Sequence, residues 1–105
     1  MLKGSLMRAV LCTEFGPPEK LVMRDIPVPK PSKQQVRIKI EACGVNFPDT
    51  LIIENKYQYK PDLPFSPGGE VAGIIDELGD EVTNYSVGEK VMAMTLFGGF
   101  SEYII

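Results

Sequence analysis

The chain has 105 residues, of which 44% are hydrophobic and 24% charged, with a formal net charge of −3. That length holds one domain with a modest core, and the balance is that of a folded protein rather than a disordered one. The acidic balance lacks the basic footprint of a nucleic-acid partner, and no apolar run approaches the ~20 residues that cross a bilayer as a helix.

Residues 1–6 are too short and polar for a secretory leader, and we read them as an extension ahead of a domain spanning 7–105. Met7 to Thr13 is a mixed apolar run closed by Gly16-Pro17-Pro18, a strand ending in a turn. Leu21 to Ile26 predicts a second strand, stopped by Pro27, Pro29 and Pro31, which hold the chain extended. Gln35 to Cys43 alternates most clearly. Val36, Ile38, Ile40 and Ala42 are expected on a core face, with Arg37, Lys39, Glu41 and Cys43 in water. Together with Lys30 and Lys33, Arg37 and Lys39 read as a solvated face rather than a binding patch.

Past Gly44 the period changes. Asn46 is placed to cap a short helix carrying Pro48 and Asp49 in its first turn and ending near Asn55. Proline is tolerated there, because first-turn amides have no intrahelical partner, and Asp49 suits the positive end of the helix dipole. Lys56 to Pro67 is a loop with three prolines and three aromatics, a composition that often lines a site. Glu70 to Leu78 predicts a strand apolar on both faces, where Gly73 marks a bulge or a close backbone approach. Glu70, entering that strand, is expected to need a structural partner. Lys90 to Leu96 and Phe100 to Ile105 predict two more strands around a Gly98-Gly99 turn. Six short strands and one short helix indicate a mostly-β barrel or sandwich. The run stops at Ile104-Ile105 in mid-strand, so the domain is expected to be truncated at its C-terminal end.

The chain contains no histidine, which removes Ser-His and Cys-His nucleophile systems and most catalytic zinc sites. The two cysteines, Cys12 and Cys43, lack a metal or redox spacing and are read as free, unreactive thiols of a cytoplasmic protein. The five methionines read as core filler.

Four stretches in order carry a resemblance. They are Ala42-Cys43-Gly44-Val45-Asn46-Phe47-Pro48-Asp49, Pro67-Gly68-Gly69-Glu70-Val71-Ala72-Gly73, Val87-Gly88-Glu89-Lys90-Val91 and Gly98-Gly99-Phe100-Ser101-Glu102-Tyr103. From Met7 onward the sequence resembles the N-terminal GroES-like domain of medium-chain dehydrogenase/reductases. Zinc members have a cysteine where this chain has Asn46 and a histidine where it has Gly69, so the resemblance implies no metal ligand. The Asn46-Phe47-Pro48-Asp49 pattern with Tyr57 is similar to the zinc-free quinone oxidoreductases related to zeta-crystallin.

That resemblance implies a mostly-β GroES-like barrel completed, in the family, by a Rossmann domain that binds NADPH. The reaction implied is hydride transfer to a quinone or an α,β-unsaturated carbonyl. It points to Tyr57, Asn46 and Asp49 as catalytic-site residues, with Asn46 also facing the nicotinamide. The proton is expected from Tyr57 or from solvent, Tyr59 is the competitor of Tyr57 for its role, and Asp49 serves by holding its neighbours. Leu51 falls where some relatives carry a second tyrosine, which makes the expected substrate pocket more apolar. The resemblance also implies small-molecule partners and a homo-oligomer. No dinucleotide-binding G-x-G-x-x-G occurs among the ten glycines, so the chain by itself is expected to be inactive. A second reading, a stand-alone GroES-like binding module of co-chaperonin type, would need a flexible polar capture loop. The proline-stiffened 56–67 segment suits that poorly.

Overall fold

The computed structural model describes residues 5–105, and the expected mostly-β architecture with one short helix is what it contains. Of the 1–6 extension, residues 1–4 lie outside the described residues. Leu6 already belongs to the first strand, paired with Pro27. Strands β1 (Leu6–Leu11) and β2 (Val22–Pro27) form an antiparallel ribbon, separated by a single 3-10 turn at Pro18–Lys20. Strand β3 (Val36–Cys43), helix α1 (Phe47–Ile52), β4 (Glu70–Leu78), β5 (Lys90–Met94) and β6 (Tyr103–Ile104) follow. The second sheet has the order β5-β4-β3-β6, antiparallel throughout.

The two sheets are stitched rather than merged. Cys12 and Phe65 exchange both backbone hydrogen bonds, at 2.7 and 3.2 Å, and the Val10 N–H donates to Phe100 O at 2.8 Å. This explains why the last predicted strand is so short. Ser101 bridges to Ala9 of the ribbon, whereas Tyr103 pairs with Lys39 of the other sheet, so the run changes partners midway. The strand predicted to run to Leu96 likewise stops at Met94, because the next residues leave the sheet in a tight turn.

Alternation in β3 holds only up to a register shift between Ile40 and Ala42. Past it the faces exchange, so Ala42 is exposed and Cys43 packs inward against Ile38, Val71 and Ile104. A bulge inserts one residue, and one residue is half the period of a strand. Nor does Arg37 belong to a solvated face. Its guanidinium forks onto Asp76 at 2.9 and 3.1 Å, reaches Glu77 at 3.2 Å and lies 5.2 Å from the centre of the Tyr103 ring. Those acids and that ring raise its already high pKa, the Asp76 hydrogen bond above all, and keep it charged. Sequence distance hid the pairing, since the acids come from the neighbouring strand.

The core has two centres. Ile38, Val71 and Ile104 fill the space inside the four-stranded sheet. Cys12, Ile52, Ile53 and Phe65 join the helix to the ribbon and to the 56–67 loop, with Phe15, Leu21, Tyr57 and Phe97 packed around them. Of the methionines among the described residues, only Met7 is buried as filler. Met92 and Met94 are more than four-fifths exposed, because β5 is an edge strand and they point away from the core. No helix among the described residues is long and apolar enough to cross a membrane.

Candidate functional site

Cys43 delivers the chain from β3 into the tight Gly44-Val45 connection, and Asn46 follows in extended backbone as the cap of α1. Pro48 sits within the first turn, where its missing amide costs nothing. Asp49 is buried, and its Oδ2 accepts a hydrogen bond from the Asn46 N–H at 2.8 Å, while the Asp49 N–H donates to Asn46 O at 3.0 Å. The carboxylate therefore fixes the backbone of Asn46. The Asn46 side chain is steered from the other side, its Nδ2 donating to Glu70 Oε1 at 3.1 Å.

Helix α1 is short because Asn55 turns the chain back at φ 60, a conformation asparagine tolerates better than most residues. This reversal carries Tyr57 back to the mouth of the helix, its ring packed on the Cys12–Ile52–Ile53–Phe65 cluster. Asn46, Asp49 and Tyr57 consequently line one cavity of about 390 Å³, together with Pro48, Gly69, Glu70, Met94 and Leu96. Tyr59 does not share it. Its ring stacks on Phe97 with centroids 5.6 Å apart and lines a separate hollow.

Five of the eight lining residues lie outside the expected set of Asn46, Asp49 and Tyr57, with Glu70, Met94 and Leu96 among them. Glu70 was expected to need a structural partner because it enters a buried strand. It has that partner, its Oε1 accepting from Asn46 Nδ2 at 3.1 Å, but it is exposed at the start of β4 and its carboxylate faces the cleft. Met94 and Leu96 belonged to what reads as a continuous strand. Leu96 instead occupies the centre of a three-residue turn, with φ 66 and the Phe97 N–H bonded to Thr95 O at 2.7 Å. A γ-turn with positive φ is rare and strained, and left-handed backbone costs a non-glycine residue about 1–2 kcal/mol. Nothing in the residue types announces it.

The cavity's chemistry is an amide, a phenol, two carboxylates and an apolar wall. Its charged side chains, Asp49 and Glu70, are both acidic, and no lysine or arginine among the described residues lines it. Among the described residues no three His, Cys, Asp or Glu side chains converge as metal ligands.

Cys43 lies just beneath this site. Burial pushes its thiol above the usual range, a hydrogen bond with the Glu70 backbone partly opposes that, and the Asp49 and Glu70 charges add to it. Burial does the same to Cys12, against a hydrogen bond to the Glu14 backbone. Both cysteines are free. A raised pKa means less thiolate at neutral pH, and the thiolate is the nucleophile. In the folded chain both cysteines should therefore react with iodoacetamide about tenfold or more slowly than in the urea-denatured chain at pH 7.5. The difference should narrow as pH rises towards 10. Mass spectrometry of timed aliquots reads it, and equal rates in the two states would refute the burial argument.

Comparison with known proteins identifies the domain. The model of the alcohol dehydrogenase GroES-like domain matches residues 32–105. Human quinone oxidoreductase is 47% identical over 102 residues, which are 95% of this chain and 31% of that protein. The chain thus spans about a third of the length of the curated relatives it matches. Among solved structures, human synaptic vesicle membrane protein VAT-1 homolog-like protein superposes with a TM-score of 0.89 at 34% identity, over 94% of this chain and 32% of that one. Escherichia coli quinone oxidoreductase complexed with NADPH superposes with a TM-score of 0.85 at 28% identity, over 92% and 30%.

Proposed function

The chain belongs to the alcohol dehydrogenase GroES-like domain family, and from that premise we propose that it forms the substrate-side domain of a zinc-independent, NADPH-dependent quinone oxidoreductase. The observation that carries this reading is the meeting of Asn46, Asp49 and Tyr57 around one cavity that holds no imidazole and no thiolate. Asn46 and Gly69 stand where zinc members have cysteine and histidine, and an amide and a glycine offer zinc neither ligand. The similarity to quinone oxidoreductases, one of them solved with NADPH, supports the same branch.

The lining fits the uncharged nicotinamide end of such a cofactor, with Asn46 as the polar contact and Met94 and Leu96 as apolar walls. It does not fit the phosphates, which Asp49 and Glu70 would repel. NADPH, when bound, supplies a hydride from its nicotinamide C4. The protein's own share is positioning and proton supply. Tyr57 offers a flat ring for stacking and a hydroxyl that hydrogen-bonds the quinone oxygen and protonates it as reduction proceeds. Asp49 keeps the Asn46 backbone in place, and Glu70 aims its amide. The two free thiols support a cytoplasmic setting, and the exposed Met92 and Met94 on edge strand β5 support self-association.

NADPH oxidation by the full-length gene product, with a quinone as acceptor, tests the reading. Activity that survives exhaustive chelation is expected. The 105-residue chain alone should show neither that activity nor micromolar NADPH binding by calorimetry. Activity lost on chelation and restored by zinc, or tight NADPH binding to the chain alone, would overturn the proposal.

A further inference from the structure

We propose that Leu96 is a specificity-determining residue, held in a strained turn so that its side chain walls the cleft and limits the width of the ring system admitted. The inference rests on the quinone reading above and names the residue that selects among quinones.

Three observations meet at this position. The backbone of Leu96 is left-handed, at φ 66, in a turn that glycine would make without strain. Its side chain fills no core, since Leu96 is 56% exposed and belongs to neither buried cluster. Yet it lines the same cavity as Asn46, Pro48 and Tyr57. The conformation is thus imposed without any packing gain that would explain a leucine there.

What imposes it is visible on both sides of the turn. Before it, the Thr95 N–H donates to Gly69 O at 2.8 Å and the Thr95 hydroxyl donates to Gly68 O at 3.0 Å. After it, the Phe97 ring is fixed against Tyr59 and edge-on to Phe65, and the Gly98 N–H donates to Ser66 O at 2.6 Å. Strain persists where its surroundings over-determine it, and such residues concentrate at ligand clamps. Gly69 belongs to the same device. A side chain there would begin 3.2 Å from the Leu96 carbonyl oxygen, so the glycine lets the turn lie against the start of β4. With its Cα anchored from both sides, the isobutyl group stays at the cleft instead of moving off with a mobile loop. A flat substrate lying between Tyr57 and this wall is sized by it.

The test uses the 105-residue chain with Leu96→Gly and Leu96→Ala, read by thermal melts and by NMR titration. The probes are duroquinone, with one ring, and 2-(hydroxymethyl)anthraquinone, with three; neither has an open quinone-ring carbon for a thiol to attack. Because glycine relieves the strain and alanine does not, Leu96→Gly should melt about 4–8 °C above Leu96→Ala. Both quinones should shift the amide signals around Asn46, Tyr57 and residue 96. The preference for the three-ring over the one-ring quinone should rise about fivefold or more in Leu96→Gly. A glycine variant that melts below the alanine variant overturns the strained turn. An unchanged preference, with both quinones still bound at the cleft, overturns the wall while leaving the functional reading standing. If neither quinone touches the cleft of the unaltered chain, the quinone reading falls and the selectivity role falls with it.

Discussion

Tyr57→Phe in the full-length gene product should lower quinone turnover about tenfold or more, since a positioned general acid contributes ~10²–10⁴-fold. The substitution is clean because the ring and the hydroxyl do different things here. The ring packs on the Cys12–Ile52–Ile53–Phe65 cluster, and phenylalanine keeps that contact, so the melting temperature should not move. The hydroxyl is what the cleft would lose. A fall in kcat with KM unchanged assigns the proton to Tyr57, whereas a raised KM with kcat intact would leave it a stacking surface. Tyr59→Phe is the control. Tyr59 stacks on Phe97 outside the Asn46 cavity, so its hydroxyl should be dispensable. If both variants lose turnover equally, the cavity is not where the chemistry occurs.

Much of this site could be read before the fold was known, because its residues sit at element ends, where sequence speaks most plainly. Asn46, Pro48 and Asp49 announce a helix start by type and spacing alone, and the observed hydrogen bonds between Asn46 and Asp49 are those such a start makes. Gly73 announced a bulge or a close backbone approach, and the Lys39 backbone lies against it, next to the register shift in β3. What stayed hidden depended on partners distant in sequence. Arg37 looked solvated until β4 brought Asp76 and Glu77 alongside it. Cys43 was assigned to the wet face because a bulge leaves no mark in an alternating pattern. Leu96 was the hardest to foresee. Its turn is imposed by hydrogen bonds that Thr95 and Gly98 donate to the carbonyls of Ser66, Gly68 and Gly69, and a Thr-Leu-Phe run reads as strand when those are unseen.

Gly73→Ala should be the most damaging small substitution in the sheet. Gly73 is buried in β4, between β3 and β5, opposite Ile40 and Val91. A Cβ there would run into the Lys39 carbonyl oxygen and stand 2.9 Å from both the Lys39 carbonyl carbon and Ile38 Cγ2. The obstacle is mostly backbone of a paired strand, which cannot rotate away as a side chain would. The sheet must part or re-register, beside a strand already carrying a register shift. Overpacking of this kind costs about 3 kcal/mol, or ~10–20 °C in melting temperature for a domain this size. Gly88→Ala separates this steric cause from the backbone preference of glycine. Gly88 sits at φ +95 with nothing within 4 Å of its would-be Cβ, so its substitution strains the backbone without a collision. It should cost about 1 kcal/mol, a fall of ~4–8 °C. Circular dichroism melts of the two variants beside the unaltered chain decide the matter. Equal losses would mean that β3 and β4 lie further apart at Gly73 than a Cβ contact requires, and the bulge next to it would need another explanation.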